Sequence, residues 1–190
     1  MSRLSRGLGF GLVFLTARVG SARAQTQPDL PEGTYALTFC YPSCGDSSAI
    51  VGTATLVYVR GDIRRHISRG LADSLSGEIN FLLLNRTPAP NACFQARAQR
   101  TVAGQEHYLG IMRASLTVVR SLPHDSLKVG FYASPDAFYD AVMAVDSSGV
   151  LNGMGHQSNW DGSRAPVTQV RGTRSGPPDP RRCVPSPEVH

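Results

Sequence analysis

Apolar and polar side chains alternate with a period of two through much of this chain. In the run Gly33 to Cys40, Tyr35, Leu37 and Phe39 share one face, while Ala36 and Thr38 share the other. Phe94, Ala96 and Ala98 alternate in the same way with Gln95, Arg97 and Gln99. Leu127, Val129 and Phe131 alternate with Lys128, Gly130 and Tyr132. Such alternation predicts strands with one buried face. Residues 49–60 are rich in Val, Thr and Ile and read as a long strand, with Gly52 marking a bulge or bend. Further strands are expected over 78–85, 108–121, 138–145, 150–157 and 167–173. Turn residues separate them: Pro42, Gly45 and Asp46 in the first loop, Thr87-Pro88-Ala89-Pro90-Asn91, Pro123-His124-Asp125-Ser126, and Asp146-Ser147-Ser148-Gly149, which reads as a hairpin turn.

One segment has a different period. Ile63, Ile67, Leu71 and Leu75 recur every fourth residue, which predicts a helix over 62–75 with Asp62 capping its start. Arg64, Arg65, His66 and Arg69 lie on its other faces. A connecting helix with a solvated charged face is the favoured reading over a basic lid above a pocket. About eight to ten short strands and one short helix point to a mostly β fold, an antiparallel up-and-down β-barrel, with a β-sandwich as the alternative. Closure also removes the open edges along which sheets aggregate.

The N-terminus changes the picture of where this fold operates. Arg3 and Arg6 precede the apolar run Gly7 to Thr16, and Ala22-Arg23-Ala24 follows. That order is a secretory signal, with cleavage expected before Gln25. The apolar run is far shorter than the roughly 18 residues a membrane-spanning helix needs, so no transmembrane anchor is expected. The expected organisation is a signal peptide at 1–24, a leader at 25–32, the barrel domain at 33–174 and a proline-rich tail at 175–190. The expected location is secreted or periplasmic. Four of the 19 basic residues lie in the signal, which leaves 15 against 14 acidic ones. The formal charge of +5 therefore gives no support for a nucleic-acid partner.

All four cysteines, Cys40, Cys44, Cys93 and Cys183, follow the signal, and an even count in an exported chain reads as two disulfides. Three pairings are possible. The one expected here is a local Cys40–Cys44 bridge and a long-range Cys93–Cys183 bridge that staples the tail to the barrel wall. A lone C-x-x-x-C is half a zinc site at most, so no metal is expected.

Catalytic signatures are sparse. Gly45-Asp46-Ser47-Ser48 resembles the opening block of GDS-type lipases and esterases, but no D-x-x-H segment follows and the block sits in a cysteine-bounded loop. No G-x-S-x-G elbow and no glycine-rich phosphate loop occur. The five histidines are scattered without metal-ligand spacing, and His107 and His156 are the pair that the predicted strands could bring together inside a barrel. No catalytic residue and no cofactor are assigned. The aromatic residues Tyr35, Phe39, Phe81, Phe94, Phe131 and Trp160 are the candidate lining of a ligand cavity, against the alternative that they fill the core.

Gly33-Thr34-Tyr35 stands where lipocalins open their first strand with G-x-W, and Arg171 or Arg174 stands where they place an arginine after the last strand. On these residues and on architecture across 33–174, the chain resembles the calycin superfamily of lipocalins and avidin-like barrels. The resemblance implies a secreted barrel that encloses a small apolar ligand, with Arg171 or Arg174 stacking on Tyr35. Two further readings stay open: an envelope structural or protein-interaction module, and a hydrolase with a dispersed active site.

Overall fold

The structure is a computed structural model that describes residues 29–67, 89–98, 115–122, 126–134, 137–159, 161–162 and 167–183. Nine strands in these residues form one antiparallel sheet: β1 (Gly33–Cys40), β2 (Ile50–Tyr58), β3 (Ala92–Ala98), β4 (Ser115–Thr117), β5 (Arg120–Leu122), β6 (Ser126–Ser134), β7 (Ala137–Val145), β8 (Leu151–Asn159) and β9 (Thr168–Gly176). Their spatial order is β4-β3-β2-β1-β9-β8-β7-β6-β5. Strands consecutive in the chain are neighbours in the sheet except β4 and β5, and β1 also pairs with β9, with Leu37 opposite Gly172. The two edge strands, β4 and β5, are consecutive in the chain and separated only by Val118 and Val119. Residues 115–122 thus act as one bent strand whose first part pairs with β3 and whose second part pairs with β6. Across that bend the Thr117 hydroxyl donates to the Gly130 carbonyl of β6. The sheet therefore curls round to its own start, as an up-and-down barrel requires.

The alternation seen in the sequence sets which side chains face inward. Tyr35, Leu37 and Phe39 of β1, Ala54, Leu56 and Tyr58 of β2, Phe94 of β3, Leu127 and Val129 of β6, Tyr139, Ala141 and Met143 of β7, Leu151 and Val170 belong to one buried cluster. The outward positions Thr38, Thr53, Thr55, Lys128, Asp140, Asn152, His156, Arg171 and Thr173 are polar and at least partly exposed. At these positions the wall is apolar inside and polar outside, while Val142 and Met154 are exposed apolar residues on the outer face of β7 and β8. No helix among the described residues is long and apolar enough to cross a membrane.

A bulge falls beside Gly52. Phe39 pairs with Gly52 and Cys40 with Ile50, which leaves Val51 as the extra residue. The β7–β8 hairpin turns as its sequence demands. Asp146 Oδ1 accepts from the Ser148 and Val150 N–H groups, and Gly149 takes φ +80°.

The helix expected over 62–75 is not formed in its described part. Ile63–Arg65 makes a single 3-10 turn, capped by the Asp62 carboxylate accepting from Arg64 N–H. Ile63 N–H donates to the Pro90 carbonyl at 2.9 Å, and its side chain is fully buried, so the turn is tied to the segment leading into β3. Residues 68–75 of that expected helix, and the expected strand over 78–85, lie outside the described residues.

A smaller apolar cluster lies on the outer side of β2 and β3. Val57, Val59, Ile63, Cys93, Leu116 and Cys183 form it. The C-terminal 3-10 turn Pro180–Cys183 covers this stripe and is joined to it through Cys93–Cys183. The other bridge joins Cys40 to Cys44. Both pairings are those expected from the sequence.

Candidate functional site: the two ends of the barrel

The ends of the barrel are chemically different. At the first end lie Gly33, Tyr58, Ala92 and Gly176. Leu30, from the leader, is fully buried there as part of the core cluster. Its position is fixed by polar contacts on either side. The Tyr35 hydroxyl donates to the Pro31 carbonyl at 2.5 Å, and Arg174 donates Nε and Nη2 to the Glu32 carbonyl at 3.1 and 3.0 Å. The Arg60 N–H donates to the Glu32 carboxylate. On the other side of this end, Asn91 exchanges two hydrogen bonds with the backbone of Val119. The leader therefore acts as a plug with an apolar tip and a hydrogen-bonded collar.

Arg174 is thus placed beside Gly33 and Tyr35, where a Cβ on Gly33 would collide with its guanidinium. Its hydrogen bonds go to the backbone of the leader. Arg171 pairs with Thr38 and points outward, away from Tyr35. Burial pushes the Tyr35 hydroxyl up to about 12, and Arg174 pulls it in the opposite direction.

The second end carries Cys40, Ile50, Ala98, Ser134, Ala137, Asn159 and Thr168. Its interior holds an aromatic group with polar neighbours. Phe39 meets Tyr139 edge-on, with ring centres 5.5 Å apart, and meets Phe94 at 6.4 Å. Each such pair adds about 0.5–1.5 kcal/mol beyond simple burial. The Tyr139 and Thr168 hydroxyls lie 2.8 Å apart, and Thr168 donates onward to the Gly155 carbonyl at 3.1 Å. Gln157 is 2% exposed and stands opposite Tyr139 in the ladder. Gly155 is required here, because a Cβ at that position would collide with the Tyr139 hydroxyl. Above this group sits the Cys40–Cys44 loop, whose Cys44 N–H donates to Gln169 Oε1 at 2.6 Å.

Of the six aromatic residues singled out in the sequence, Tyr35, Phe39 and Phe94 come together in the core, each no more than 1% exposed. Tyr35 belongs to the plugged end, while Phe39 belongs to the polar-lined one. Phe131 stands on β6 opposite Tyr139. Phe81 and Trp160 lie outside the described residues. Tyr139 is a further aromatic residue of the same inward-facing kind, whereas Gln157 and Thr168 were not singled out. A signal for Gln157 exists in retrospect: it has the same inward parity as Leu151, Gly153 and Gly155, which makes it a polar residue on the buried face.

The chemistry outside the barrel is ordinary. Lys128 Nζ lies 2.6 Å from Asp140, and His156 Nε2 lies 3.6 Å from the same carboxylate. This row sits on the convex wall, and an ion pair with a lysine 41% exposed is worth about 0–1 kcal/mol. The GDS-like block is a capped turn. Asp46 Oδ1 accepts from Ser48 N–H at 2.8 Å, which holds its carboxyl below the usual carboxylate range. Among the described residues no group of three His, Cys, Asp or Glu side chains gathers to hold a metal ion.

No family model matches the chain, and no curated protein or solved structure matches it either.

Proposed function

We propose that this chain is an exported, non-catalytic, calycin-like β-barrel that takes a small amphipathic ligand at its second end. The observation that carries the reading is the difference between the two ends. One is plugged by Leu30, and the other holds Tyr139, Gln157 and Thr168 beside the aromatic group of Phe39 and Phe94. Ligand sites in barrel mouths combine an apolar wall with a few buried polar groups that orient the ligand. The close packing of Phe39 and Tyr139 limits the ligand to a small one, seated toward the rim rather than along the barrel axis. The two disulfides fit an oxidising compartment, which supports export.

The test combines extraction and titration. Protein purified from the periplasm or culture medium is extracted with organic solvent and the extract is read by mass spectrometry. The stripped protein is then titrated with a fluorescent fatty acid. Saturable binding is expected, and Tyr139→Phe should weaken it about tenfold, the loss of one oriented hydrogen bond, while leaving the circular dichroism unchanged. A clean extract together with no saturable binding sinks the proposal.

A second reading is an envelope interaction module. Val142, Met154 and Val167 are 41%, 53% and 51% exposed, and Val142 and Met154 pair directly across β7 and β8. Under the ligand reading, Met154→Asp leaves the fluorescent titration untouched. Under the interaction reading, the same change abolishes association with a partner protein.

A further inference from the structure

The two disulfides differ in exposure, span and support. Cys93 and Cys183 are 1% and 0% exposed, and they close a loop across 90 residues. Cys40 is fully buried, but Cys44 is only half-buried at the rim, and only 4 residues separate the two.

Hydrogen bonds that do not depend on the bridge hold the short loop. Tyr41 N–H donates to the Ala49 carbonyl at 2.9 Å, closing the loop's base. Cys44 N–H donates to Gln169 Oε1, which ties the tip to β9. Ala49 N–H donates to the Asp46 carbonyl at 3.0 Å, and the Asp46 side chain caps the same turn. With the bridge open, these contacts keep the two sulfurs near each other. The ladder beneath is likewise complete without the bridge, because Cys40 is held between Ile50 and Gln169.

We propose that Cys40–Cys44 is a thiol–disulfide exchange site that a dithiol reductant opens in the folded protein, while Cys93–Cys183 stays closed. A bridge that stabilises the fold strongly is itself stabilised by the fold, by linkage. The short bridge lies within one hydrogen-bonded loop, so opening it releases no long-range tie, whereas Cys93–Cys183 is buried in the outer cluster and joins the tail to β3. Access acts in the same direction, since an attacking thiolate must reach a sulfur.

The exchange proceeds in two steps. A thiolate of the reductant attacks Cys44 Sγ, a new S–S bond forms, and the Cys40–Cys44 bond breaks. Cys40 leaves as a thiolate and takes a proton from water. The second thiol of the reductant, ionised, then attacks its own sulfur in the mixed disulfide. Cys44 leaves as a thiolate, the reductant departs as a cyclic disulfide, and two electrons have passed to the two cysteines. Oxidation by a disulfide-bearing partner reverses the same steps.

The test uses the folded mature protein in a graded series of dithiothreitol concentrations at neutral pH. Each sample is quenched with N-ethylmaleimide, digested and mapped by mass spectrometry, with near-ultraviolet circular dichroism recorded in parallel. Cys40 and Cys44 should be labelled at dithiothreitol concentrations about tenfold or more below those that label Cys93 and Cys183, as expected when one bridge is exposed and the other buried. The dichroism should persist across that window. Labelling of all four cysteines together, earlier labelling of Cys93 and Cys183, or collapse of the dichroism as Cys40–Cys44 opens would each overturn the proposal.

Discussion

Tyr35 shows how one side chain can serve both the core and a seal. Its ring belongs to the buried cluster, and its hydroxyl reaches the leader through Pro31. Burial is the main cause that raises its ionisation from 10.0 to about 12. The sign follows directly. The fold holds the neutral phenol more tightly than the unfolded chain does, so this stabilisation is intact below pH 10. It is lost as the pH rises from 10 towards 12. Tyr35→Phe should cost about 1 kcal/mol at neutral pH through the missing hydrogen bond. It should also flatten the alkaline limb of the stability curve, as followed by urea unfolding at a series of pH values. An alkaline limb unchanged by the substitution would show that another group controls it.

Among the elements, strands were the most legible, and the reason is visible in particular residues. Tyr35, Leu37 and Phe39 alternate with the small or polar residues Thr34, Ala36 and Thr38, so the sequence marks both the strand and its inner face. Leu56-Val57-Tyr58-Val59 gave no such contrast, because both of its faces are buried: Leu56 and Tyr58 inside the barrel, Val57 and Val59 under the tail. Nothing local announces a cover supplied by residues more than a hundred positions away. In its described part, residues 62–67, the expected helix is replaced by a 3-10 turn for a related reason. Ile63 and Ile67 do meet the same apolar cluster, but through a 3-10 turn tied to Pro90. Of the site, Phe39 and Phe94 were legible as aromatic residues on an inner face. Tyr139 was legible in the same way, but Thr168 was not, since its value lies in a contact between β7 and β9 that no local pattern encodes. The β7–β8 pair supports a further expectation. A Cβ at Gly153 would run into the Val142 carbonyl oxygen and the Met143 Cα. Backbone cannot give way as a side chain can, so Gly153→Ala should destabilise the protein by about 3 kcal/mol. A shift of the urea midpoint with unchanged slope would be the signature, and a neutral result would mean that the two strands stand further apart.

For the whole molecule, the plugged end is the feature that most constrains behaviour. Leu30 belongs to a segment outside the sheet, yet it is fully buried in the core. Leu30→Ala should therefore cost about 3 kcal/mol, as a core truncation does. It should also open a small apolar space at the first end, detectable as new binding of xenon or benzene by nuclear magnetic resonance. An exposed leader residue would give less than about 0.5 kcal/mol and no new binding.

The pairing of β1 with β9 has a consequence for synthesis. The strand that leaves the ribosome first among the nine has as its lateral neighbour the strand that leaves last. Until Thr168 to Gly176 has emerged, one side of Gly33 to Cys40 offers unpaired amides and carbonyls to any passing polypeptide. Every incomplete chain is therefore sticky along that side, and a ribosome stalled before the last strand would release a product prone to clump rather than a smaller barrel.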